Sequence, residues 1–181
     1  EDEAAFYGPK VDIQFKSVTG REETMSTIQL DFAAKKRFEL SYQDKDGKEN
    51  NGVFVIHRAP LSTHERFMAF LIEHYLGHFP LWLSPVQVKI VTVNDTCIPF
   101  AEEVEKQLKL AGVRVELDSR AESIGKKVRD AETEKTPIIV TIGEKEIAKN
   151  TLAIREQGKV RFDVLIDNFL KETKTRIEKR C

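Results

Sequence analysis

From residue 86 onward the apolar residues alternate between short strand-like runs and helix-like stretches, and that order restricts the possible fold more than any other feature of the chain. VQVKIVTV at 86–93 alternates as a strand, and residues 96–111 place Phe100, Val104, Leu108 and Ala111 on one helical face before Gly112 stops them. VRVEL at 113–117 is a second strand, Asp118-Ser119 leads into a short basic helix over 123–134, and Pro137 opens the apolar run PIIVTI. Strand, helix, strand, helix, strand implies a parallel βαβ core with right-handed crossovers. A hairpin of TLAIRE and KVRFD around Gln157-Gly158 follows, and then a helix from about 163 to 180.

The first 85 residues have a different texture. KVDIQFK at 10–16 and stretches of 22–30 alternate apolar and polar about a turn at Gly20-Arg21, which predicts a β-hairpin. Residues 31–37 carry no strand pattern, 38–43 can extend again, and DKDGKENNG at 44–52 is a polar loop. VFVIH then ends at His57, Pro60 breaks the strand, and Phe67, Phe70, Leu71, Ile72 and Tyr75 recur at helical spacing. Pro85 closes this unit, so the expected domains are 1–85 and 86–181.

Arg66 falls in the first turn of that helix. Free backbone N–H groups there favour anions, and a planar guanidinium fork suits a phosphate. Glu65 is placed to hold the fork. On spacing alone, a solvated Glu65–Arg66 pair, with His57 and His64 as ordinary polar groups, explains the same residues. His57 has no other His or Cys at a zinc-ligand spacing within 1–85.

Composition narrows the class of protein. The 181 residues are 40% hydrophobic, enough for a core, and no run approaches the ~18 apolar residues of a membrane span. The start EDEAAF reads as neither signal nor transit peptide, and Cys97 and Cys181 form no CxxC pair or disulfide framework. A cytoplasmic, reducing setting and no membrane are expected. The net charge of −1 divides as −3 over residues 1–85 and +2 over 86–181, so any nucleic-acid site must be local.

HRAPLSTHERF, followed by LIEHY and FPLWLSP, resembles the third signature motif of class II aminoacyl-tRNA synthetases in its threonyl-specific form. FYGPK at 6–10 and STIQLDF at 26–32 are similar to segments of the same family, and residues 86–181 resemble the anticodon-binding domain shared by its threonyl, prolyl, histidyl and glycyl members. The fold class this implies is α/β: the C-terminal part of an antiparallel-sheet catalytic domain, then an α/β anticodon-binding domain with a mixed sheet.

The resemblance also assigns roles. Lys10 and Arg66 would be catalytic, Lys10 at the α-phosphate and Arg66 on the γ-phosphate of ATP with Mg²⁺ sharing the charge. Tyr7, Gln29 and Thr63 would contact substrates, and His57 would be the last of three protein ligands to Zn²⁺, the other two lying upstream of FYGPK. Arg129, Glu146 and Arg155 would contact anticodon bases of tRNA(Thr), with Lys126 and Lys127 holding backbone phosphate; solvated face charges are the plainer account of each.

Departures from the family pattern are Thr24-Met25 for Gln-Cys, Ser62-Thr63 for Gly-Ser, and Ala121 for asparagine. The parent would join threonine to tRNA(Thr) with ATP and act as a homodimer. The first two signature motifs are not in this sequence, so the chain by itself is expected to be catalytically incomplete. A non-catalytic anticodon-binding module and a regulatory paralogue are the alternatives. The terminal Lys174, Arg176, Lys179 and Arg180 are expected to be solubilising.

Overall fold

In a computed structural model that describes residues 5–180, the chain divides into two units, Glu1–His74 and Tyr75–Cys181. The first four residues of the acidic start and the Cys181 thiol lie outside the described residues. No helix among those described is long and apolar enough to cross a membrane.

The first unit is built on an antiparallel sheet of β1 (Lys10–Lys16), β2 (Glu22–Asp31) and β5 (Val55–Ala59), in the order β1-β2-β5. The expected hairpin is therefore present, with one shift of register between Ile13 and Gln14. The stretch after β2, which carries no strand pattern, forms the short helix α1 (Ala33–Arg37). Asp31 starts it, since its Oδ1 accepts the free N–H groups of Ala33 and Ala34 at 2.8 and 2.9 Å. Residues 38–43 extend only at β3 (Tyr42–Gln43), which pairs with β4 (Glu49–Asn50) across the polar loop. Helix α2 (His64–Tyr75) follows β5 and sets Phe70 edge-on against Phe15, with ring centroids 4.6 Å apart.

The second unit carries a five-stranded sheet in the order β10-β9-β8-β6-β7. Its strands are β6 (Val88–Thr92), β7 (Val115–Asp118), β8 (Ile138–Ile142), β9 (Thr151–Glu156) and β10 (Lys159–Leu165). β6 is parallel to both β7 and β8, whereas β9 is antiparallel to both β8 and β10. As expected of a strand covered on both faces, every residue of β6 is buried. The crossovers run in opposite directions across the sheet, from β6 out to β7 and from β7 back past β6 to β8, so right-handed connections place their helices on opposite faces. Helix α3 (Ile98–Leu110), preceded by a 3₁₀ turn at Asp95–Cys97, packs Ala101, Val104 and Leu108 into the main core with Ile90, Ile138, Ile154 and Phe169. Helix α4 (Ile124–Thr133) covers Val91 and Ile139 on the other face through Ile124, Val128 and Ala131.

Helix α5 (Glu144–Lys149) joins β8 to β9 and has no counterpart in the sequence reading. The last helix, α6 (Ile166–Glu178), starts later than 163 because β10 continues to Leu165. Arg176 is a correction: its guanidinium grips the Glu156 carboxylate at 2.5 and 3.1 Å, and Arg180 lies over the Trp82 ring at 5.6 Å, so neither merely solubilises the terminus. The segment 81–85 belongs to this second unit. The buried amide of Gln87 donates to the Leu81 carbonyl at 2.9 Å, and the Arg114 guanidinium holds the carbonyls of Trp82, Ser84 and Pro85.

Candidate functional site

Alternation along the three strands of the first unit puts one set of side chains on a polar face, and the register decides which of them meet. Lys10 stands opposite Gln29, and Gln29 opposite His57, so three of the predicted residues form one row across β1, β2 and β5. The next pairs along are Asp12 with Thr27 and Thr27 with Ala59. Over this face lies an open depression of about 550 Å³ lined by Tyr7, Thr27, Gln29, Asp31, His57 and Arg58, among others.

Each member of the row is held. The Tyr7 hydroxyl donates to Gln29 Oε1 at 2.5 Å, and the Tyr7 ring meets that of His57 edge-on at 6.0 Å. Lys10 Nζ lies 2.7 Å from Asp12, whose carboxylate also accepts the Thr27 hydroxyl at 2.6 Å. These bonds hold the Asp12 carboxyl below the usual carboxylate range, Lys10 first. Gly8 brings Tyr7 and Lys10 into place. Its φ is +154°, and a Cβ there would lie 2.0 Å from the Leu30 carbonyl oxygen. Tyr7 and Pro9 then accept from Phe32 and Leu30 at 2.9 and 3.0 Å, stitching FYGPK along β2.

His57 Nε2 is 2.9 Å from Asp31 Oδ2. The hydrogen bond from His57, with that from the Ala34 amide next, keeps the Asp31 carboxyl below its ordinary range. An ionised carboxylate only accepts, so Nε2 donates to it, and Nδ1 is the ring nitrogen with no hydrogen-bond partner among the described residues. A carboxylate behind an imidazole is how metal-binding histidines are commonly oriented. His57 thus fits the part of a single zinc ligand, while no group of three or more His, Cys, Asp or Glu side chains among the described residues could hold a metal ion.

Arg66 and Thr63 stand at the start of α2 and do not line that depression. The Thr63 hydroxyl accepts the Arg66 amide at 3.3 Å, which is an N-cap, so this oxygen serves the helix. The Arg66 guanidinium is exposed, and among the described residues no ion pair ties it to Glu65. Ser62 has φ 55°, in the left-handed region that glycine enters without cost. The glycine of the family pattern at this point therefore has a backbone reason.

In the second unit the predicted RNA-facing residues separate. Glu146 and Arg155 share a depression of about 310 Å³ with Ile124, Gly125, Val160 and Phe162. Glu146 spends one oxygen on the Gly143 N–H at 3.0 Å, which caps α5, and Arg155 lies 3.7 Å from Glu132. Arg129 and Lys126 are exposed on α4 and do not line it; the Lys126 ammonium is 2.5 Å from Glu122.

Lys127 corrects the expectation of a phosphate-binding residue. It is 2% exposed, and its Nζ donates to the Thr92 carbonyl at 2.8 Å and lies 3.3 Å from that residue's hydroxyl. Asp118, close by, is held in the charged form chiefly by Arg120. The residues missed by sequence reasoning are Asp31, Asp12 and Thr27, which orient His57 and Lys10. Their signal is the period-two polar series along β1 and β2, facing the same side as Gln29.

Residues 87–176 match the family described as "Anticodon binding domain", and residues 1–75 match "tRNA synthetase class II core domain (G, H, P, S and T)". The threonine–tRNA ligase of Clostridium botulinum (strain Eklund 17B / Type B) is 46% identical over 97% of this chain, and that of Oceanobacillus iheyensis is 48% identical over 99%. The chain spans 28% of the length of these two relatives. Among solved structures, the RNA binding domain of threonyl-tRNA synthetase from Cryptosporidium parvum aligns with 96% of this chain and 44% of its own, at a TM-score of 0.76 and 31% identity. A prolyl-tRNA synthetase from the same organism, at 23% identity and a TM-score of 0.72 over 99% of this chain and 43% of its own, shares the fold.

Proposed function

We propose that this chain, which belongs to the class II aminoacyl-tRNA synthetase family, supplies part of the amino-acid and ATP site and the anticodon-reading surface of a threonine–tRNA ligase. The observation that carries the reading is the cross-strand row Lys10–Gln29–His57, with Tyr7 locked onto Gln29 and Asp31 behind His57. In the parent protein, threonine and ATP give an adenylate and pyrophosphate, and the acyl group then passes to tRNA(Thr). Lys10 offers an ammonium at one end of the row, where it would stabilise charge on the α-phosphate. Tyr7 and Gln29 present a fixed polar wall to the amino acid. Arg66, exposed at a helix start, offers its fork to the γ-phosphate, with Mg²⁺ sharing the charge.

His57 would hold Zn²⁺ through Nδ1 together with ligands from outside this chain. Such an ion would supply a site that takes both the amine and the hydroxyl of threonine and so rejects valine. The role of this chain's own residues there is to fix the imidazole, through the Asp31 carboxylate. Pairing of two parent copies and a cytoplasmic setting belong to the same proposal.

RNA recognition falls to Glu146 and Arg155, with Arg129 and Lys126 as cations beside them on α4. Arginine forks to an unpaired base edge and a carboxylate accepts from exocyclic amines. The test titrates the chain with the tRNA(Thr) anticodon stem-loop and with a loop-scrambled control at fixed ionic strength. The native loop should bind more tightly, and Arg155→Ala should cost about 1–3 kcal/mol and erase most of the difference. Equal affinity for both loops would refute the anticodon reading.

A further inference from the structure

The depression that holds Glu146 and Arg155 has an aromatic wall. In the register, Ile139 and Thr141 of β8 stand opposite Arg155 and Ala153 of β9, and Arg155 stands opposite Val160 of β10. These side chains share the face that α4 covers. Helix α4 packs on Val91 and Ile139, and beyond it Ala153 of β9 is still buried, while Val160 and Phe162 of β10 are left bare on this side. The other face of β9 and β10 is closed: Leu152 and Ile154 are buried, and the Arg161 guanidinium grips Glu172 with two bonds of 3.0 Å.

On the bare side Phe162 is 69% exposed. Arg161 pairs with Ile154 and Val164 with Leu152, so Phe162 and Asp163 together span the single residue Ala153. This is a β-bulge, a device that re-aims a side chain. Asp163 takes φ 55°, and its carboxylate is tied to Lys149 of α5 at 2.9 Å. The bulge thus presents Phe162 beside a guanidinium and a carboxylate, over a floor at Gly125 where an added Cβ would meet nothing within 4 Å.

We propose that Phe162 is a stacking platform for one unpaired base of an RNA loop, whose edge is then read by Arg155 and Glu146. The inference rests on the anticodon reading above and adds to it the residue that receives the base. A lone exposed phenylalanine needs no explanation. Here the ring is set out on a bulge, and its neighbours are the two groups suited to hydrogen-bond the rim of a planar heterocycle. Only a base free of its own stack can lie on such a ring, which selects a single-stranded loop over a duplex.

The experiment compares the 181-residue chain with Phe162→Ala, Phe162→Leu and Phe162→Trp, each titrated with the tRNA(Thr) anticodon stem-loop and its scrambled control. In a second series 2-aminopurine replaces each unpaired loop base in turn. Phe162→Ala should weaken loop binding roughly 5- to 150-fold. Phe162→Leu should lose nearly as much, Phe162→Trp should bind like the parent, and all three should keep the parent's thermal unfolding because the side chain is exposed. One 2-aminopurine position should be quenched by the parent chain and not by Phe162→Ala. If the parent prefers the native loop while Phe162→Ala or Phe162→Leu binds it equally well, stacking is refuted and the anticodon reading stands. If the parent shows no preference between the loops, both fall together.

Discussion

Lys127→Ala separates a structural role from an RNA-binding one. The side chain is buried, and its ammonium donates to the Thr92 carbonyl at 2.8 Å, beneath the end of the central strand. Truncation removes three buried methylenes, worth about 0.8 kcal/mol each, and takes a charged donor from a carbonyl, worth about 1.5–3 kcal/mol. Relief of the ammonium's own dehydration offsets part of this. The expected net loss is about 3 kcal/mol, and Lys127→Met, which keeps the stem, should lose only about 1–2 kcal/mol. Trp82 is the single tryptophan of the chain and lies in the second unit, so its fluorescence follows that unit during urea unfolding. For the alanine variant the midpoint should fall by about 1–3 M urea. An unchanged midpoint together with weaker binding to every RNA, native or scrambled, would mean that Lys127 reaches phosphate after all.

Gly8→Ala should disrupt the edge of the first unit by more than about 2 kcal/mol, because the new Cβ cannot coexist with the Leu30 carbonyl at 2.0 Å. Faster amide exchange at Leu30 and Phe32, the two groups bonded to Pro9 and Tyr7, is the readout, and unchanged protection would contradict it. Asp31 gives a pH prediction. Its folded pKa is depressed, first by the His57 hydrogen bond, so its stabilising contribution is complete above the unfolded value near about 4 and is lost as pH falls through the lower folded value. An NMR titration of the first unit's amides should show loosening below about pH 4, and Asp31→Asn should flatten that part of the profile. An unaltered acid limb in Asp31→Asn would remove the carboxylate from the account.

Much of the architecture was legible because it follows from local periodicity. The alternating run VQVKIVTV and the apolar run PIIVTI, separated by two helical stretches and a second strand, read as strands of a βαβ core, and right-handed crossovers then fix which helices share a face. Short elements were not legible. EKEIAK in α5 spans less than two turns and has no apolar stripe, and what starts it is the Glu146 side chain reaching back to the Gly143 N–H. The true start of α6 depends on the bulge at Phe162–Asp163, which lets β10 run on through Leu165. That bulge comes from pairing with a distant strand and leaves no local pattern.

The sites divide along the same line. Lys10, Gln29 and His57 were singled out separately, but their meeting in one row depends on a register that carries a shift between Ile13 and Gln14, and no short window of sequence sets that. Lys127 is the opposite case. Ile124, Val128 and Ala131 mark the inner face of α4 at helical spacing, and Lys127 lies three residues after the first and four before the last, on the same stripe. Position along the helix therefore argued for burial, while residue type argued for solvent. Position prevails because the end of β6 leaves the Thr92 carbonyl and hydroxyl within reach of an ammonium, so a long stem can lie in the core with its charge bonded. Lys126, one residue back and off that stripe, is exposed, with its ammonium on the Glu122 carboxylate at 2.5 Å.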